Sequence, residues 1–155
     1  QGEKIHGNFE IDSSCDVNLN VTAILPEDYC LSVHERLIYY KRLARAEDQE
    51  QIDQVYQEII DSYGLPPEPV KNLIASHSIR IIAVRLGVKK LDATSSNIVL
   101  QFIDNPPLDP LKIVLVMQEL KTCKYDGKNK LIWQLKSDSI TIKINNIEHL
   151  LSMLK

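Results

Sequence analysis

Apolar positions recur along the chain in two periods, and the change from one to the other divides it. "VNLNVTAIL" (17–25) places Val17, Leu19, Val21 and Ala23 on alternate positions with Asn and Thr between, the period-2 pattern of a half-buried strand that ends at Pro26. Helical spacing takes over at "SVHE", where Ser32 and Glu35 match a capping box. The helix that follows should turn Val33, Leu37, Tyr40 and Ala44 inward. A second helix starts near Asp48, carries Ile52, Val55, Tyr56, Ile59 and Tyr63 on one face, and stops at Gly64 as a left-handed C′ residue. So short a connection predicts an antiparallel helical hairpin. "LPPEPV" then breaks the chain, and Pro69 suits the first turn of a third helix that runs to Leu86 and closes at Gly87. Ile79, Ile81, Ile82, Val84 and Leu86 make that helix apolar nearly all round, which predicts a central, buried position.

Beyond Gly87 the pattern becomes strand, turn, strand: "VKKLDA", "TSSN", "IVLQFI". The loop "DNPPLDP" leads to a helix with Asp109 as N-cap and Pro110 at its first position. "KYDGKNKLIWQL" predicts a second hairpin, its Asp-Gly pair favouring a primed turn. In the tail Ile140, Ile142 and Ile144 alternate like a strand, but the longer series Ile140, Ile144, Ile147, Leu151, Leu154 is helical, and the longer pattern is preferred. The expected class is α+β: an N-terminal strand and three-helix region, then two β-hairpins that each precede a helix. Residues 1–16, opening with the polar "QGEKIHGNFE", are expected to be a linker, and residues 17–155 a single domain.

Composition changes this picture little, whereas charge changes it more. A chain of 155 residues with 44% hydrophobic content suits one domain able to bury a core of its own. No run of 18 or more apolar residues and no signal-like opening occurs, so a soluble, cytoplasmic protein without membrane partners is expected; a start at Gln1 points to a fragment or a processed chain. Cys15, Cys30 and Cys123 are too few and too widely spaced for a disulfide framework or a CxxC metal pair, and are expected to be buried thiols. A net charge of −3 argues against a general nucleic-acid binder. That charge is unevenly spread. Arg36, Lys41, Arg42 and Arg45 stand without an acid among residues 36–45, whereas residues 46–70 hold seven acids and no Lys or Arg.

No catalytic constellation is legible. The five glycines make no dinucleotide fingerprint, and although Gly2 and Gly7 have phosphate-loop spacing, Asn8 and Phe9 stand where Lys and Ser/Thr are required. The four histidines are isolated, and His77, on the apolar stripe of the third helix, is expected to be a core or boundary residue. Catalysis, a cofactor and a metal are therefore not expected. The acidic helix is the informative feature: about 100° per residue sets Glu50, Gln54, Glu58 and Asp61 opposite the Ile52–Ile59–Tyr63 face. Carboxylates near a helix C-terminus cost on the order of 0.3–1 kcal/mol each, and no Lys or Arg lies within a turn of this pair. An uncompensated local cost predicts compensation from elsewhere, and two acids one turn apart suit arginines on another surface.

"LPEDYCLSVHERLIYYKRLA" (25–44), "EIIDSYGLPPEPVKNLI" (58–74) and "LGVKKLDA" (86–93) together resemble the C-terminal domain of the bacterial transcription-repair coupling factor, Mfd, over about residues 17–155. The similarity weakens after Asp104. Ser62-Tyr63 stands where the family usually has Arg-Phe, and "CLSVHERL" replaces a Pro-Asp-Val-Asn run. The resemblance implies a parent that is an ATP-driven DNA translocase, displacing stalled RNA polymerase and recruiting UvrA for nucleotide excision repair. It further implies that this domain hydrolyses no ATP and acts as an autoinhibitory clamp, packing on the parent's N-terminal UvrB-like module and masking the UvrA-binding surface. Glu58 and Asp61 match family positions whose acids pair with arginines of that module.

Two readings result. In the first the domain is a non-catalytic regulatory clamp, monomeric in isolation, with Glu50, Gln54, Glu58 and Asp61 at its interdomain face. In the second, Arg36, Lys41, Arg42, Arg45, Lys89 and Lys90 contact nucleic acid. For the basic helix the preferred alternative, since the two runs are adjacent in sequence, is that it neutralises its acidic hairpin neighbour.

Overall fold

Ser32 and Asp48 begin the two helices that dominate the first part of the chain. In the computed structural model, which describes residues 15–155, the Ser32 Oγ accepts the Glu35 N–H at 3.2 Å and opens α1 (Val33–Arg45). The Asp48 carboxylate accepts the Gln51 N–H at 2.9 Å and opens α2 (Gln49–Tyr63). Each cap satisfies one of the donors that a helix start leaves without an intrahelical partner. Gly64 ends α2 at φ +90° and ψ −159°, a region open essentially to glycine alone rather than the expected left-handed helical one. Its N–H still closes on the Ile60 carbonyl at 2.8 Å. Pro69 falls in the first turn of α3 (Glu68–Arg85), where its missing N–H costs nothing.

The described residues fall into two units, one of residues 21–81 and one of residues 15–20 with 82–155. The core of the first joins Leu43 of α1, Ile52, Val55 and Ile59 of α2, and Val70, Leu73, Ile74 and Ile81 of α3. Ile52 and Ile59 are wholly buried, and each such side chain contributes roughly 1.5–3 kcal/mol. Val33, expected inside, is 60% exposed, because Tyr63 at the end of α2 reaches along α1 only as far as Glu35.

The second unit is built on one five-stranded sheet of order β1-β2-β3-β5-β4. β1 (Asp16–Asn18) runs parallel to β2 (Val88–Ala93); β3 (Asn97–Phe102), β4 (Cys123–Tyr125) and β5 (Lys130–Gln134) pair antiparallel. The two expected hairpins are present, and β3–β5 pairing fuses them. α4 (Pro110–Glu119) follows the first, with the Asp109 carboxylate accepting the Leu111 N–H at 3.0 Å. α5 (Ile140–Leu154) follows the second; Ser139 caps it, and Ile147, Leu150, Leu151 and Leu154 are buried. The helical reading of the tail therefore holds, and the α+β class with it.

Three local expectations are corrected. The N-terminal strand covers Asp16–Asn18 rather than residues 17–25: the Asn18 side chain accepts the Asn20 N–H at 2.9 Å and Asn20 adopts φ +56°, an Asx-type turn that ends pairing. The β4–β5 connection is not a two-residue Asp-Gly turn. The Asp126 carboxylate accepts from the Lys128 N–H at 2.7 Å and the Lys130 N–H at 3.0 Å, with Gly127 and Asn129 at positive φ, so the loop takes four residues. Of the capping box only the Ser32 half forms as expected, because the Glu35 carboxylate is engaged by the Tyr63 hydroxyl. The expected linker over residues 1–16 and the Gly2–Gly7 spacing lie, as far as residue 14, outside the described residues.

Gly87 is required twice over. It sits at φ +79°, and a Cβ there would meet Pro107 Cδ at 2.6 Å and Pro106 Cβ at 2.8 Å. Among the described residues no helix is long and apolar enough to cross a membrane.

Candidate interdomain interface

The α1–α2 hairpin brings the basic run against the acidic one. The Arg42 guanidinium donates to both oxygens of Glu58, Nη1 to Oε1 at 2.5 Å and Nη2 to Oε2 at 2.9 Å. This fork-to-fork geometry is the strongest that the two groups can make. It lies at the surface, with the Arg42 and Glu58 side chains 37% and 42% exposed. The hydrogen bond from Arg42 holds the Glu58 carboxyl below the usual carboxylate range, and the same bond raises Arg42 above its ordinary value. For Glu58 the hairpin itself supplies a cation that sequence distance hid.

The other members of the acidic set stand differently. With about 100° per residue, Glu50, Gln54 and Asp61 lie within some 40° of one another, while Glu58 is displaced toward one flank. That flank is the one against α1. Glu50, Gln54 and Asp61 are exposed, and the side-chain partner of Asp61 is neutral, Gln57 Nε2 donating at 2.9 Å. Among the described residues no ion pair reaches Asp61.

Of the basic set, Arg36 is committed to the Cys30 carbonyl at 2.5 Å and Arg42 to Glu58, while Lys41 and Arg45 are exposed. Lys89 and Lys90 belong to β2 in the second unit, where a register shift between Val88 and Lys90 turns both to solvent. The expected neutralisation of the acidic helix by its basic neighbour is realised through Arg42.

Three contacts in the first unit had no sequence expectation. The Tyr63 hydroxyl donates to the Glu35 carboxylate. Tyr29 lies 5.6 Å from the Tyr63 ring and donates to the Gly64 carbonyl at 2.6 Å, fastening the exit of α2. Arg80, 8% exposed between Ile79 and Ile81, donates from Nη2 to the carbonyls of Leu43 at 2.8 Å and Ala46 at 3.2 Å. A cation on the last carbonyls of α1 adds a charged donor to acceptors of which the Leu43 carbonyl also takes the Ala46 N–H at 3.3 Å, and it opposes the helix dipole. His77 accepts from Arg80 Nε at 3.3 Å; burial first, and the Arg80 charge second, push it down to about 4, so it is neutral near pH 7. A lone charge inside an apolar run was the signal that could have revealed this buried cap.

These features form a charged helical surface. The profile of the TRCF domain family matches residues 19–113. The transcription-repair-coupling factor of Haemophilus influenzae is 34% identical over 116 residues, covering 74% of this chain and 10% of that protein. That of Escherichia coli K12 is 29% identical over 117 residues, covering 75% of this chain and 10% of that protein. The chain thus spans about a tenth of the length of these relatives. A crystal structure of the C-terminal domain of transcription-repair coupling factor superposes with a TM-score of 0.72 at 18% identity, covering 92% of this chain and 94% of that one. The fold therefore extends past the region where sequence similarity fades, and the chain belongs to the TRCF domain family, with the fold of the C-terminal domain of transcription-repair coupling factor.

Proposed function

We propose that this domain is the non-catalytic, autoinhibitory clamp of a transcription-repair coupling factor, docking on the parent's N-terminal UvrB-like module and masking its UvrA-binding surface. The parent is an ATP-driven DNA translocase of the bacterial cytoplasm that displaces stalled RNA polymerase; the domain itself hydrolyses no ATP and is a monomer in isolation. The observation that carries this reading is the exposed face of α2, where Asp61 lies in the last turn with no cation paired to it among the described residues and Glu50 and Gln54 share its side. A carboxylate so placed is stabilised by an arginine brought by a partner. Asp61→Lys in full-length coupling factor tests it. Close charge pairs across interfaces couple by about 1.5 kcal/mol or more, so UvrA affinity without polymerase or DNA should rise about tenfold. The domain's melting temperature should stay level or rise slightly. Unchanged UvrA affinity together with a lower melting temperature would show an intradomain role instead.

A second reading keeps one supporting observation: the irregularity in β2 exposes Lys89 and Lys90 together. If they contact DNA phosphates, duplex binding at micromolar protein should weaken steeply with salt, and Lys89→Ala/Lys90→Ala should reduce that slope by about two.

A further inference from the structure

Glu58 can make its fork-to-fork contact with only one guanidinium at a time, and in this structure Arg42 holds it. Resting on the clamp reading, we infer that Arg42 is a built-in competitor of the clamp: Glu58 sits on Arg42 while the clamp is open and transfers to an arginine of the partner module as it closes. Three features carry this. Glu58 and Arg42 are 42% and 37% exposed, so an incoming arginine reaches the carboxylate from solvent without opening the core. Arg42 can hydrate once released, so the exchange strands no buried charge. Glu58 lies on the α1 flank of the acidic face, whereas the side-chain partner of Asp61 among the described residues is neutral Gln57; one acid is available at all times and the other conditionally.

The device sets a coupling. Because one arginine pair breaks as another forms, Glu58 adds to the clamp only the difference between the two pairs, and the free energy it returns depends on how well Arg42 competes. Removing Arg42 therefore tightens the clamp, the reverse of what losing a supporting contact would do.

The test measures UvrA affinity of full-length coupling factor, without DNA or polymerase, for Arg42→Gln, Glu58→Gln, their double variant and Asp61→Lys, with melting temperatures alongside. Exposed ion pairs are modest, so Arg42→Gln should lower UvrA affinity about two- to fivefold. Glu58→Gln should raise it, and the double variant should match Glu58→Gln, since the competitor has nothing left to compete for. Arg42→Gln raising UvrA affinity as Glu58→Gln does would overturn the exchange and make the pair a scaffold. Asp61→Lys raising affinity while Arg42→Gln leaves it unchanged would sink the exchange alone. If Asp61→Lys and Glu58→Gln both leave UvrA binding unchanged, the clamp reading falls, and the exchange with it.

Discussion

The α1–α2 and β4–β5 hairpins both turn on a carboxylate, and they use it at different distances. Asp126 accepts from backbone N–H groups two and four residues along the chain, at Lys128 and Lys130, which hold it below the usual carboxylate range. Glu58 accepts from Arg42, 16 residues back and on another helix. The first contact follows once the loop closes. The second exists only after two helices have packed in one register, so its energy reports on that packing. Short-range polar contacts shape the chain, and long-range ones depend on the shape already made.

Each contrast can be broken by experiment. The largest effect is expected at Gly87. Gly87→Ala combines a positive φ with contacts to Pro106 and Pro107 too close for a Cβ, and should cost about 2–4 kcal/mol in urea unfolding. A cost below about 1 kcal/mol would mean the proline loop yields freely.

Next comes Arg80, the long-range counterpart in the helical unit. Arg80→Met keeps much of the volume but leaves the Leu43 and Ala46 carbonyls without this donor, for a loss of about 2–3 kcal/mol. A neutral result would show that water can replace the guanidinium.

His77 gives a pH-dependent effect of similar or smaller size. Its folded value, about 4, lies below its ordinary 6.5, so on acidification the unfolded chain takes up the proton first. Stability from this residue is full above about pH 6.5 and falls as pH drops toward about 4, by on the order of 2 kcal/mol. His77→Gln should flatten that part of the stability profile; an unchanged slope would assign the acid sensitivity to carboxylates.

The smallest effect belongs to the pair that separates the hairpins. A double-mutant cycle of Arg42→Gln and Glu58→Gln on the isolated chain should give a coupling of about 0.2–1 kcal/mol, shrinking with salt. A coupling beyond about 2 kcal/mol would place the pair among structural determinants, unfit for exchange.

The same difference in distance explains what could be read from the chain. Ser32, Asp48, Asp109 and Gly64 act within a few residues, and their roles were visible in the order of the letters. The strand expected over residues 17–25 was over-read because alternation alone cannot sense the turn at Asn20. The Asp-Gly signal located a turn but not its length, since the Asp126 carboxylate, rather than the Gly127 backbone alone, determines the loop. Arg42, Arg80 and the Tyr63–Glu35 contact depend on the helical register. Moving from Arg42 back to Glu35 on α1 matches moving from Glu58 forward to Tyr63 on α2, a relation that needs both helices placed.

The three buried cysteines, at 3%, 0% and 3% exposure for Cys15, Cys30 and Cys123, turn the protein into its own stopwatch. A thiol reagent in solution reaches them when the surrounding chain opens, and opening also relieves the burial that pushes the Cys123 thiol up to about 11. Cys30 lies in the helical unit, and Cys15 and Cys123 in the sheet unit. Alkylation followed residue by residue in unmodified protein would time the opening of each unit separately, with no label added.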